Sequence, residues 1–599
     1  MSGNNCTFPS LKPNLIPSLK PKLIPSLKPN LIPSRDRKGA VLSRWTLLLT
    51  AALLASPVWA DAPATISGKD TRLAMAAQQG DKDAVIALLK EKADVNVAPG
   101  DGTTALHWAA YRGDVDVAKM LLKAGASLKA TTRLGNLTPL SLAAKTGQGG
   151  AVAALLDAGA DANSASATGS TPLMLASASG SVDAVKSLLD HGALVNAREK
   201  TWGESALMYA AALNRSDVVK LLLARGADWK ATTRVEKLTK DTGYDPEDAN
   251  QRYDNETPKD PAEAEKANKA AAARVKSASM RQAEHMGGMS ALHFAARDGQ
   301  TETVQALVAA GVDVNLVSAA DRTSPMLQAI YNGHYDIGKY LLDHGADPKL
   351  VNDDGLSAAY AVIDQQWANR TWYPPAYTGQ EKTGYLDLLT AILDKGANPN
   401  VQTAKKLWFR RFHDDWIDSP GATAFWRAAQ ANDLAAMKLL IAHGADPNLK
   451  TIHKASAMQP AAGYGVEDQL SAFAPDARLS VIQYMVEELH MDINATDEYG
   501  YTPLHGAAYM GDNELVKYMV AKGANLKAKS HGFIQQEGQT IFPAPPGKGD
   551  TVADMANGPR THGIQHPDTV KLLESLGSEN SHNCRSAVCL PEVDSTRPF

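Results

Sequence analysis

A period of 33 or 34 residues governs most of this chain, and it narrows the possible folds more than any single residue does. Gly125, Gly159, Gly192 and Gly226 each follow a Leu-Leu pair by the same interval, Lys92 stands one period earlier, and the series resumes at Gly311, Gly345, Gly396, Gly444, His490, Gly523 and Gly577. A fixed spacing of this length means one supersecondary unit stacked many times, each copy burying the apolar face of its neighbour. The 599 residues therefore need no large single core.

The unit reads as two helices. Thr171-Pro172 places a hydroxyl cap before a proline at the first helical position, where the missing N–H is not needed. Leu173, Ala176 and Ala178 keep the first helix slim enough for close stacking, and Gly180 supplies a left-handed stop. Val182, Val185, Leu188 and Leu189 then recur at helical spacing in a second helix that ends at Gly192. Asx- and Gly-rich stretches such as Asn352-Asp353-Asp354-Gly355 suit a β-turn leading into the next unit. Twelve units count out between Thr71 and about Ser578, and Lys92 and His490, in place of glycine, are poorly suited to left-handed geometry.

The motif Thr502-Pro503-Leu504-His505-Gly506-Ala507, with Ala105-Leu106-His107 and Ala291-Leu292-His293, resembles the ankyrin-repeat family at the family's period. The resemblance implies an all-α repeat solenoid of helix-turn-helix units with β-turn fingers, about twelve repeats with insertions. It also implies an elongated, curved body whose members generally bind proteins on a concave face rather than catalyse. His107, His293 and His505 fall at the motif histidine, where the ring bonds neighbouring backbone, and are read as structural.

Residues 1–60 are expected to be removed. Residues 1–34 hold an eight-residue unit, SLKPNLIP or SLKPKLIP, three times over, too proline-rich for regular structure. Residues 35–60 read as a secretory signal: Arg35, Arg37, Lys38 and Arg44, the apolar run Leu47–Ala55, and small residues before a cleavage site after Ala60. Translation starting later than Met1 would leave the octapeptide tract unmade. The expected location is periplasmic or secreted. Of the charges, residues 61–599 keep 53 Lys and Arg against 64 Asp and Glu, an acidic balance that argues against nucleic acid as a partner. The apolar run is too short for a bilayer of roughly 30 Å, so no membrane span is expected in the mature chain, which reads as a monomer.

Repeats one to five occupy 61–233 and repeats six to twelve 289–578. The charged stretch 234–288 between them reads as a flexible joint between two sub-arrays, or as a tether for a recognition helix near 262–279. Two aromatic inserts, near 366–383 and 405–421, carry Trp372, Tyr373 and Tyr377, then Trp408, Phe409, Arg410, Arg411, Phe412 and Trp416. With Trp367 and Trp426, five of the ten tryptophans fall in this stretch. Large rigid rings beside arginine have the composition of a binding hot spot, and these nine residues are the candidate partner-binding set. The competing reading packs the two inserts together as an accessory core. The loop Gly463–Ala477 reads as structural.

No metal-protease, phosphate-loop or nucleophile-elbow motif occurs, so no catalytic residue, metal site or cofactor is expected. His413-Asp414-Asp415 are too close in sequence to enclose a cation alone. In the tail 579–599, Cys584 and Cys589 form an even pair suited to a small disulfide loop in an exported chain, with pairing to another molecule as the rival. The functional expectation is an exported protein-binding scaffold or adapter. A secreted effector acting on a host protein, or an envelope enzyme with an unrecognised site, are the alternatives.

Overall fold

The computed structural model describes residues 70–237, 285–368, 378–404, 407, 420–465, 474, 477–531, 549–557 and 565–581. Within them run twelve helix pairs. Repeats one to four are Arg72–Gln79 with Lys82–Lys90, Ala105–Arg112 with Val115–Lys123, Pro139–Lys145 with Gly149–Asp157, and Pro172–Ser179 with Val182–Asp190. Repeats five to eight are Ala206–Ala212 with Ser216–Ala224, Ala291–Arg297 with Thr301–Ala309, Pro325–Tyr331 with Tyr335–Asp343, and Ala358–Gln366 with Tyr385–Asp394. Repeats nine to twelve are Ala424–Gln430 with Leu434–Ala442, Met458–Ala461 with Arg478–Gln483, Pro503–Tyr509 with Asn513–Ala521, and Val552–Ala556 with Pro567–Ser575. Each first helix packs on the first helix of the next repeat, from the first repeat to the twelfth.

The local signals act as their chemistry requires. Thr171 Oγ1 accepts from the N–H of Met174, Pro172 opens the helix, and Gly180 closes it at φ 83°. In the second helix Val185 and Leu188 are fully buried, whereas Val182 is 39% exposed, so that helix rests on a narrower apolar face than its spacing predicts. Lys92 and His490 do adopt the left-handed conformation, at φ 61° and 53°, because the stacked repeats on either side leave the chain no other route.

A recurrent side-chain bridge joins neighbouring repeats. After each second helix of this set an asparagine donates Nδ2–H to the glycine carbonyl of the following repeat and accepts from a backbone N–H two residues beyond it. Asn163 reaches Gly192 O at 3.1 Å and takes the N–H of Leu194 at 2.8 Å. Asn96, Asn196, Asn315, Asn400 and Asn494 do the same toward Gly125, Gly226, Gly345, Gly444 and Gly523. These asparagines satisfy peptide groups that the turn would otherwise leave to water.

Repeats five and six, on either side of the stretch 234–288, are in direct contact. Repeat five stacks directly on repeat six through both helices. Asn214 donates to Glu302 Oε2 at 2.6 Å and accepts from the N–H of Thr303 at 3.2 Å, while Gln300 Nε2 reaches Ala212 O at 3.2 Å. The chain leaves and re-enters through two antiparallel strands, β1 (Val235–Lys237) and β2 (His285–Gly287), in the register Val235↔Gly287, Glu236↔Met286 and Lys237↔His285. The segment is thus an excursion from one continuous stack. Residues 238–284, including the expected helix near 262–279, lie outside the described residues.

Candidate functional site

The motif histidines are locked into the scaffold. The N–H of Thr104 donates to His107 Nδ1 at 3.1 Å, the Thr104 hydroxyl lies at 2.8 Å from the same nitrogen, and Nε2 reaches Leu137 O of the next repeat at 3.0 Å. A backbone donor on Nδ1 leaves the proton on Nε2, which fixes the neutral tautomer. His293 repeats this with Ser290 and with Thr323 O at 2.9 Å, and His505 makes the same cap with Thr502. Burial of the ring holds the pKa of His293 and of His505 down to about 4. These rings are caps, as the sequence reading has them.

Two further residues do this work without being histidine. Gln459 Oε1 accepts from the Ser456 N–H and hydroxyl, at 2.5 and 2.7 Å, and its Nε2 donates to Tyr501 O at 3.1 Å. Asp554 accepts from the N–H and hydroxyl of Thr551, both at 2.9 Å. The sequence signal was the hydroxyl three residues earlier, a capping-box spacing in each case.

The two aromatic inserts spring from repeats eight and nine, and their stems are built with unusual care. At the end of the first helix of repeat eight, Trp367 donates Nε1–H to Asp433 Oδ2 at 2.8 Å and meets Tyr385 edge-on at 5.9 Å. The other oxygen of Asp433 caps the second helix of repeat nine through the Ala436 N–H at 2.9 Å. Below it, Arg427 Nε donates to Asp364 Oδ1 at 2.8 Å and Nη2 to Trp367 O at 2.6 Å. On the return of this insert, Asp336 accepts from the N–H of Thr383 at 2.8 Å, and Glu381 accepts from the N–H of Asp336 at 2.7 Å. The second insert is closed by Thr403 N–H to Ala422 O at 3.0 Å and Gly421 N–H to Thr403 O at 2.7 Å, with Leu407 buried beside it.

Trp372, Tyr373, Tyr377, Trp408, Phe409, Arg410, Arg411, Phe412 and Trp416 themselves lie outside the described residues, as do His413, Asp414 and Asp415 and the pair Cys584 and Cys589. Trp426 is not part of any exposed aromatic cluster. It occupies the motif-histidine position of repeat nine, fully buried, with no hydrogen-bond partner for Nε1. Part of the loop Gly463–Ala477 is described, and there the N–H of Ala474 is pinned to Ala431 O at 2.8 Å. Among the described residues no cluster of His, Cys, Asp and Glu is arranged to hold a metal ion, and no helix is long and apolar enough to cross a membrane.

The arrangement can display side chains from a rigid row of helices, and the comparisons with known proteins agree. The family described as Ankyrin repeats (3 copies) matches residues 49–132, 73–166, 140–233, 267–352 and 425–530, together more than half of the chain. Alpha-latrocrustotoxin-Lt1a of Latrodectus tredecimguttatus is 24% identical over 211 residues, 35% of this chain and 13% of the toxin. Palmitoyltransferase AKR1 of Lachancea kluyveri is 37% identical over 243 residues, 40% of this chain and 23% of the transferase. Ankyrin repeat and SOCS box protein 3 of Homo sapiens is 41% identical over 157 residues, 26% of this chain and 30% of that protein. The chain thus spans less than a third of each of these relatives. Ankyrin repeats are a protein-interaction scaffold and their family is generally non-enzymatic, although one relative is named a palmitoyltransferase. With its periodic helix pairs, histidine caps and stacked first helices, the chain belongs to the ankyrin-repeat family.

Proposed function

We propose that this chain is an exported scaffold that holds a partner protein against the face of its first helices and the two aromatic inserts of repeats eight and nine. The anchoring of the insert stems supports this reading best. Asp433, Asp364 and Arg427 tie Trp367 to two repeats at once, so a segment departing there starts from a fixed point. Pre-organisation lowers the ordering cost that a contact loop otherwise incurs on binding. Trp372, Tyr373, Tyr377, Trp408, Phe409, Arg410, Arg411, Phe412 and Trp416 are the proposed contacts. The basic-then-apolar stretch ending at Ala60 supports export to the periplasm or beyond, where Cys584 and Cys589 would meet oxidising conditions.

Affinity capture from an envelope extract tests the reading, with the mature chain beside a Trp408→Ala, Phe412→Ala, Trp416→Ala variant. A partner held by the first and lost by the second, at equal helical content, is the expected result. Capture unchanged by the substitutions overturns the role of the inserts, and unfolding of the variant assigns them to an accessory core. N-terminal sequencing of the exported protein should begin at Asp61, and recovery of the uncleaved chain in the cytoplasm overturns export.

A further inference from the structure

Repeats one to five carry a second feature, separate from the inserts. The fourth residue of each first helix points away from the second-helix layer, and in these repeats it is Met75, Trp108, Leu142, Leu175 and Tyr209. Met75 is 42% exposed and the other four are half-buried. Tyr111, one turn beyond Trp108, is 42% exposed and meets its ring edge-on at 5.9 Å. The helices bearing these residues pack in direct succession, so the side chains form one apolar stripe. At roughly 10 Å between neighbouring helices it is about 40 Å long. The stripe does not continue with the same exposure, because Phe294, Gln328, Ala361 and Arg427 at the same position in repeats six to nine are buried.

Cations flank this stripe in an otherwise acidic chain. Arg133, Arg198 and Lys200 stand exposed on the fingers that precede the first helices, with exposed Arg112 and half-buried Lys145 at the opposite ends of those helices. Among the described residues none of these five cations is paired with a carboxylate. Carboxyls on the same side are held by neighbours, and Glu204, beside Tyr209, is pushed up to about 7 by burial. Asp101 accepts from the N–H of Thr103 at 3.0 Å, Glu199 from the N–H groups of Thr201 and Trp202 at 2.6 and 2.5 Å, and Glu236 lies 4.0 Å from Arg234. Four further acids of these repeats, Asp83, Asp116, Asp183 and Asp217, sit in the first turns of the second helices, where the helix dipole favours them.

We infer that the stripe from Met75 to Tyr209 binds an extended protein segment that carries both apolar side chains and carboxylates, the apolar groups on the Trp108 and Tyr111 rings and the carboxylates on the flanking cations. Aromatic rings supply contact area at low entropic cost, and complementary charge sets register and speeds encounter. This inference rests on the reading of the chain as a protein-binding scaffold and gives the partner chemistry for the first helices of repeats one to five, apart from the inserts.

The test pans a phage-displayed random peptide library on the full chain, with peptides of about 16 residues, enough to span the stripe when extended. Peptides rich in both leucine-type and acidic residues are the expected selection. Trp108→Ser with Tyr111→Ser should weaken them about tenfold or more. Arg112→Glu with Lys145→Glu should weaken them to a similar degree at low salt and less at high salt. Neither residue of the second pair belongs to the hydrophobic core, so it keeps the test readable if the first variant unfolds. No enrichment, selection of neutral or basic peptides, or binding indifferent to both pairs overturns the inference. The Trp408→Ala, Phe412→Ala, Trp416→Ala variant should retain peptide binding. Loss there instead of at Trp108 assigns recognition to the inserts alone and leaves the scaffold reading standing.

Discussion

Arg427 donates Nε–H to Asp364 across 63 residues of sequence, and both side chains are only 4% exposed. The two residues belong to the first helices of adjacent repeats, so the pair sets the rotation of repeat nine on repeat eight at the base of an aromatic insert. A buried pair of this kind contributes more to specifying geometry than to net stability, because desolvation offsets much of the attraction.

Removing one partner should therefore cost far more than removing both. Asp364→Ala takes a carboxylate away from a buried guanidinium and should destabilise the array by about 3–5 kcal/mol. Asp364→Leu combined with Arg427→Met should recover most of that. Denaturant melts of the three proteins check it, and equal losses in single and double variants would refute the reasoning.

The asparagine bridges make a directional prediction. Asn163→Asp keeps the acceptor for Leu194 but loses the donor to Gly192 and places a carboxylate against its carbonyl. Each lost bond is worth about 1 kcal/mol, so Asn163→Ala should cost about 2 kcal/mol and Asn163→Asp at least as much. Unfolding midpoints distinguish them from a neutral surface change.

Lys92 and His490 stand where glycine would be unstrained. Lys92→Gly and His490→Gly should each raise stability by about 1 kcal/mol, read as a higher thermal midpoint. The same substitution at an ordinary helical position, such as Ala118, should do the reverse.

The buried cap histidines make the fold acid-sensitive. His293 and His505 are held at about 4, below the ordinary value near 6.5, so the unfolded chain binds more protons between those limits. Their contribution is present above about pH 6.5 and is lost as pH falls toward 4, on the order of 3 kcal/mol for each ring. Glu204 and Asp497, which burial raises to about 7 and about 6, act in the opposite sense, losing stability as pH rises. A His293→Gln variant isolates the histidine term, since Gln459 already makes the same three bonds in repeat ten. Its stability should fall less steeply than the parent's between pH 6.5 and 4. A parallel pH profile would show that the ring is not buried neutral.

The helix pairs and their stacking were legible because they depend on neighbours in sequence. A hydroxyl before proline, small residues three and four apart and a glycine one turn later act within a single repeat, and the period repeats the instruction. Capping by Gln459 and Asp554 was legible in the same local terms, through Ser456 and Thr551, once the histidine was recognised as one solution among several.

What the tertiary structure alone decided are the relationships between repeats. Trp367 and Trp426 look alike in sequence, yet one bonds Asp433 beside an insert and the other fills the core at a histidine's position. Nothing local marks Asp364 as the partner of Arg427. Nor does a charged stretch of chain announce that the repeats it separates are stacked. The entropy of closing a loop grows only slowly with its length, so a long excursion between β1 and β2 is cheaper than exposing the faces of repeats five and six. Period and caps were written into the sequence because they are local, whereas pairing across repeats was settled by which buried groups could satisfy one another once the helices had stacked.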